Sequence, residues 1–118
     1  MEEKSRVAAA VAQYVLAAAT ADEAGLRSVF HPSASIVGNY QGAVEWLSLD
    51  AYVQEVRGAN LPPNPNPEWT LTAITILADT AVAEIDDQFG SMRFSNFLSL
   101  LRIDGEWKIV AKLYHLKD

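Results

Sequence analysis

An α+β fold, with three helices packed on a mostly antiparallel sheet, follows from three features of this 118-residue sequence. Helical periodicity with little strand fills the first sixty residues. A stiff proline-rich stretch, LPPNPNP at 61–67, comes next. Everything after it reads as a long β-meander, and helices followed by a run of strands is the α+β pattern.

Residues 3–19 predict the first helix, because Ala is the best helix former and Val7, Val11, Tyr14, Val15 and Ala18 recur on one face at three- and four-residue spacing. Thr20-Ala-Asp-Glu23 has the capping-box pattern and opens a short second helix ending near Phe30, where Pro32 forces its predecessor out of helical geometry. ASIVGNY at 34–40 predicts a short strand with Gly38 as a bulge candidate. Ser48 caps a third helix whose shared face carries Leu49, Tyr52, Val53 and Val56, with Gly58 as its left-handed stop. Four prolines in the seven residues 61–67 suit neither a helix nor a central strand, so this is an exposed connector. It does not divide domains, since the residues before it hold too little strand to close a core, and 1–118 is a single domain. EWTLTAITIL, TAVAEIDDQ, MRFSNFLSLLRI and EWKIVAKLYHL then predict four strands, turning at Ala78-Asp79, around Gly90 and at Asp104-Gly105.

Composition excludes several classes of function. The formal charge is −6, from fifteen acidic and nine basic residues. No basic cluster interrupts that excess, which argues against a nucleic-acid partner. The absence of cysteine excludes disulfides, thiolate nucleophiles and sulfur-ligated metals. The longest apolar run, AAAVAQYVLAAATA, is broken by Gln13 and preceded by charges of both signs, so neither a signal peptide nor a membrane partner is expected and a cytoplasmic location is. The six glycines are scattered singly, which excludes a phosphate-binding loop. His31 and His115 lie far apart without ligand spacing, so no metal is expected, and no cofactor is implied.

The last hairpin yields the site candidates. Asp104-Gly105 favours a two-residue type I′ turn, which pairs Ile103 with Glu106. Continued without a bulge, that register puts Phe94, Asn96, Leu98 and Leu100 on one face with Trp107, Ile109, Ala111, Leu113 and His115. Asn96 and His115 are the polar exceptions on that face and become pocket candidates, while Lys112 and Tyr114 fall on the opposite face. A one-residue bulge would exchange these assignments. Both faces are rich in apolar residues, as expected when helices cover one and a second subunit touches the other. Asp86-Asp87 point to opposite faces and read as a solvated strand end.

Tyr14, Phe30-His31-Pro32, Ser48-Leu49-Asp50-Ala51-Tyr52 and, above all, FSNFLSLLRIDGEWKIVAKLYH at 94–115 resemble the NTF2-like (cystatin-like) superfamily and within it the "Putative lumazine-binding" branch, close to SnoaL-like proteins. The resemblance implies a strongly curved sheet wrapped by helices into a cone, an apolar pocket, and a homodimer formed through the outer sheet face. It does not imply one function: the expectation is binding of a small apolar or aromatic molecule, and the alternatives are proton transfer of the SnoaL or ketosteroid-isomerase type by a pocket histidine, or a structural or partner-binding module whose pocket is filled by side chains. His115 and His31 are the catalytic candidates. Tyr14, Asn96, His115, His31, Tyr40 and Trp46 are the ligand-binding ones, with plain core packing the alternative for the aromatic residues. The branch often has Asp where this chain has Asn96, and an asparagine cannot act as the base.

Overall fold

The computed structural model describes residues 2–117. Its elements are α1 (Glu2–Ala19), α2 (Glu23–Val29), β1 (Phe30–Tyr40), β2 (Ala43–Ser48), α3 (Leu49–Gly58), β3 (Trp69–Leu77), β4 (Thr80–Phe89), β5 (Met92–Ile103) and β6 (Glu106–Leu116). The six strands form one sheet in the order β2-β1-β6-β5-β4-β3. Only the pair β1 and β6 is parallel. Alternation along β4 buries Ala81, Ala83 and Ile85 on the inner face, where they meet Leu98 and Leu100 of β5 and Ile109 of β6. The apolar stripe of α1, which includes Val7, Val11, Tyr14 and Val15, covers that face beside Leu49, Tyr52 and Val53 of α3. Each fully buried Val, Leu or Ile among them contributes roughly 1.5–3 kcal/mol.

Local chemistry explains most boundaries, with four corrections to the sequence reading. The cap of α2 is Asp22, whose carboxylate accepts from Gly25 N–H, whereas the Thr20 hydroxyl donates back to the Leu16 carbonyl. Ser48 caps α3 by accepting from Ala51 N–H, as its position predicts. The helix runs through Gly58, however, and the left-handed residue is Asn60 (φ 54°). β1 begins at Phe30, earlier than the predicted 34–40. β2 was absent from the sequence reading and is joined to β1 through Gln41 and Gly42, both with positive φ as a type I′ turn requires.

Bulges bend the sheet. Leu100 faces Ile109 while Ser99 faces Ala111, so Val110 is an extra residue in β6. At the same level the β1 partners jump from Phe30 to Ser35, and Pro32, which has no N–H to offer a ladder, lies within that jump. Thr72 is extra in β3 and uses its hydroxyl to reach the Glu84 carbonyl at 3.0 Å. Extra residues bend a strand and increase its twist, which accounts for the predicted curvature.

The β5–β6 turn has positive φ at both Asp104 and Gly105, as anticipated, but the bulge overturns the uniform register that placed His115 inside. Beyond Val110, Lys112 and Tyr114 face inward, and Leu113 and His115 face outward. Contacts at the far end of the hairpin hold α1 in place: Trp107 Nε1 donates to Glu3 at 2.6 Å, Arg102 pairs with Glu3 at 3.2 Å, and Arg6 donates to the Gly105 carbonyl.

Gly38 of β1 does not form a bulge. It sits opposite Tyr114, and a Cβ there would lie 2.7 Å from the tyrosine ring. Gly38→Ala should therefore destabilise the protein by about 1–3 kcal/mol through overpacking. A lower midpoint in urea with an unchanged slope is the expected outcome, and in a Tyr114→Ala background the further cost of Gly38→Ala should shrink towards zero.

Candidate functional site

A cavity of about 470 Å³ lies between α1, α3 and the inner face of the sheet. Three elements converge on its polar interior. α1 presents Tyr14, α3 presents Tyr52, and β6 presents Lys112 just past the bulge. Lys112 Nζ donates to the Tyr52 hydroxyl at 3.1 Å, and the Tyr52 and Tyr14 hydroxyls are 3.5 Å apart. The same nitrogen stands 4.6 Å from the centroid of the Tyr52 ring and 5.2 Å from that of Tyr14, with Phe94 and Tyr114 also within 6 Å. Facing a cation with the negative faces of aromatic rings offsets part of the cost of removing it from water. Burial pushes the Tyr14 phenol well above its ordinary pKa, with the nearby Tyr52 adding to the shift.

β4 supplies the second polar group. Asp87 follows Ala81, Ala83 and Ile85 in the inward alternation and lines the cavity, so it is not the solvated strand end expected from sequence. Asn96 Nδ2 donates to Asp87 Oδ1 at 2.9 Å. Burial pushes the Asp87 carboxyl upward, against the pull of Lys112 and of the Asn96 hydrogen bond. Its neighbour Asp86 points the other way, accepts from Ser95 at 2.6 Å and pairs with Lys117.

A third group sits where β2 meets α3. Glu45 and Glu55 both line the cavity, and Tyr114 donates to Glu45 at 2.5 Å. Desolvation, the adjoining Glu45 and a hydrogen bond with it push Glu55 up to about 7, while Lys112 pulls it down. Burial and the Glu45 hydrogen bond also raise the Tyr114 phenol.

Of the residues expected from sequence, Tyr14 and Tyr40 line the cavity, and Asn96 reaches it through Asp87. The structure does not bring the others there. His115 is exposed on the opposite face, at a shallow depression beside Asp86 and Phe97, because the bulge reverses the alternation. His31 stands at the irregular start of β1, where its Nδ1 accepts from Ser33 N–H at 3.0 Å. Trp46 points outward from β2 and is 72% exposed. Among the described residues, no group of three His, Asp or Glu side chains is arranged to hold a metal. Uniform alternation concealed Lys112 and Tyr114, whereas the apolar series in β4 could have identified Asp87. With an ammonium, a carboxyl of raised pKa, a carboxyl pair and several phenols, this cavity can orient the polar end of an aromatic molecule and can exchange a proton with it.

A family model described as "Putative lumazine-binding" matches residues 2–115. A solved NTF2-like protein of unknown function from Silicibacter pomeroyi is 31% identical, with a TM-score of 0.93, covering 98% of this chain and 97% of that one. Another of unknown function, from Shewanella baltica, is 24% identical with a TM-score of 0.88, covering 99% and 95%. An NTF2-like protein from Cytophaga hutchinsonii shares the fold at 14% identity and a TM-score of 0.83, covering 99% and 100%. No curated protein matches significantly. The α+β cone of three helices on a curved sheet is thus the NTF2-like fold.

Glu55 binds its proton more tightly in the folded chain than in the unfolded one, so the native state holds the extra proton between about pH 4.5 and 7. Its contribution to stability is fully present below that window and is lost as the pH rises through it. In Glu55→Gln the fall in melting temperature across this window should be smaller, leaving the variant relatively more stable at pH 8 than at pH 5. A wild-type profile with the same slope as the variant would refute the assignment.

Proposed function

The chain belongs to the "Putative lumazine-binding" family, and from that premise we propose that it binds a small apolar or aromatic molecule in the cavity beneath α1 and α3, as a homodimer joined through the outer sheet face. The observation that carries this reading is the cavity itself. Its volume of about 470 Å³ falls in the range of small-molecule sites, roughly 300–1,000 Å³. Its walls include Tyr14, Tyr40, Tyr52, Phe89 and Phe94, whose rings favour a flat molecule, and its charged groups stand at three places, where they can hold a polar end.

Support for the dimer comes from one row of residues across the sheet. Register aligns Phe97, Leu113, Val37 and Trp46 on neighbouring strands. Phe97 is 49% exposed and Leu113 51%, and both stand near the middle of the outer face. An apolar strip of this kind is costly in water and well suited to a second copy of the same sheet.

A second reading, an isomerase-type enzyme that moves a proton beside a carbonyl, is favoured by one observation. The carboxyl that burial raises, Asp87, shares the cavity with Lys112. Asp87 would take the proton while Lys112 steadied the enolate oxygen, the role first considered for a pocket histidine.

Native mass spectrometry should give twice the chain mass, with or without a retained small molecule. Leu113→Asp should shift the protein to monomer without unfolding it, and a wild-type monomer would remove the dimer. For the second reading, the α-protons of 2-tetralone in D₂O should exchange faster with protein present. Asp87→Asn should lower that acceleration by roughly 10²–10⁴-fold, and NMR exchange rates equal to buffer would leave binding alone.

A further inference from the structure

The polar groups of the cavity are unequally satisfied. Glu45 accepts from Tyr114, and Glu55 is engaged with Glu45. Asp87 accepts from Asn96. Lys112 is different. It is only 8% exposed, and among the described residues no carboxylate lies within 4 Å of its ammonium. Its one hydrogen bond goes to the neutral Tyr52 hydroxyl, whereas an ammonium has three N–H donors. The aromatic faces around it lessen the cost of desolvation but accept no conventional hydrogen bond.

Asp87 and Glu55 feel the Lys112 charge only from beyond contact distance, and a buried cation without a contacting carboxylate is expensive to maintain and becomes more favourable when an anion meets it directly. Building on the small-molecule reading above, we propose that Lys112 is the anchoring residue for an anionic ligand, a flat aromatic molecule whose carboxylate or acidic enol meets the ammonium inside the cavity. The geometry also gives an orientation. Tyr14, Tyr52 and Phe94 flank the ammonium, so the anionic end lies deepest and the ring sits against these side chains. Three carboxyls also line the cavity: Glu45 and Glu55, on the β2–α3 side, disfavour an anion beside them, and Asp87, held by Asn96, is the carboxyl the ligand's anionic end has to avoid in meeting Lys112.

Titration calorimetry with three ligands of one shape, 2-naphthoate, 2-naphthamide and 2-naphthylamine, separates the possibilities. The wild-type protein should bind the carboxylate roughly ten- to a hundredfold more tightly than the amide, as a charge-assisted hydrogen bond at a desolvated site implies. Lys112→Met retains an unbranched side chain one atom shorter and removes the charge. It should still bind the amide, which demonstrates an intact cavity, and lose the preference for the carboxylate. Equal affinity for carboxylate and amide, or tighter binding of the amine, would overturn the anion assignment while leaving the small-molecule reading in place. A preference that survived Lys112→Met would place the anion elsewhere. Failure of all three ligands to bind would remove both readings.

Discussion

One extra residue in β6 governs the character of the site. Because Ile109 pairs with Leu100 and Ala111 with Ser99, the chain absorbs Val110 without a partner and resumes its alternation with the faces exchanged. Without the bulge, Ala111, Leu113 and His115 would follow Ile109 inward. With it, Lys112 and Tyr114 do. β1 accommodates the same irregularity through its own extra residues from His31 to Ala34, so both strands at the parallel junction bend together. The curvature that opens a cavity and the chemistry inside the cavity therefore have a common origin.

Placing Lys112 inside has structural consequences that spread across the fold. Desolvating an ammonium costs several kcal/mol in a real protein, and the chain offsets that cost with groups drawn from three separate elements. Tyr14 depends on α1 being held against the sheet, which Glu3, Arg6, Trp107 and Arg102 accomplish at the far end of the helix. Tyr52 depends on α3, whose start is fixed by the Ser48 cap. Tyr114 can lie beside the ammonium because Gly38 leaves room for its ring. The surface ion pairs linking Glu23, Arg27, Asp50 and Arg57 join α2 to α3, but exposed pairs of this kind contribute only about 0–1 kcal/mol each. Packing of α1 and α3 on the sheet carries most of the burden of keeping the cavity in shape.

Sequence alone determined the elements whose signals are local. Helical spacing found α1 and the buried face of α3, and β-branched and aromatic runs found β3 to β6 nearly to the residue. The Asp104-Gly105 turn was legible because positive φ at both central positions is a property of the residues themselves. Resemblance of the last hairpin supplied the curved sheet that local signals do not describe. Tyr14 and Tyr40, candidates from the sequence, line the cavity, and Asp87 was within reach of the alternation that buries Ala81, Ala83 and Ile85 in β4. β2 escaped notice because it is a short edge strand with a mixed exposure pattern and no periodic signal.

Only the tertiary structure decided which side of β6 meets the cavity. A bulge is set by the fit between neighbouring strands, and EWKIVAKLYHL contains no glycine or proline to announce one. Moving the register by one residue transfers every later side chain to the other face, so a purely local reading assigned His115 to the interior and Lys112 to the exterior. The pairing of Glu45 with Glu55, and of Asp87 with Asn96, likewise joins residues from different elements. Amino-acid order specified the strands and helices because their causes act within a few residues. The polar interior had to await the packed sheet, since its causes lie in contacts between strands far apart along the chain.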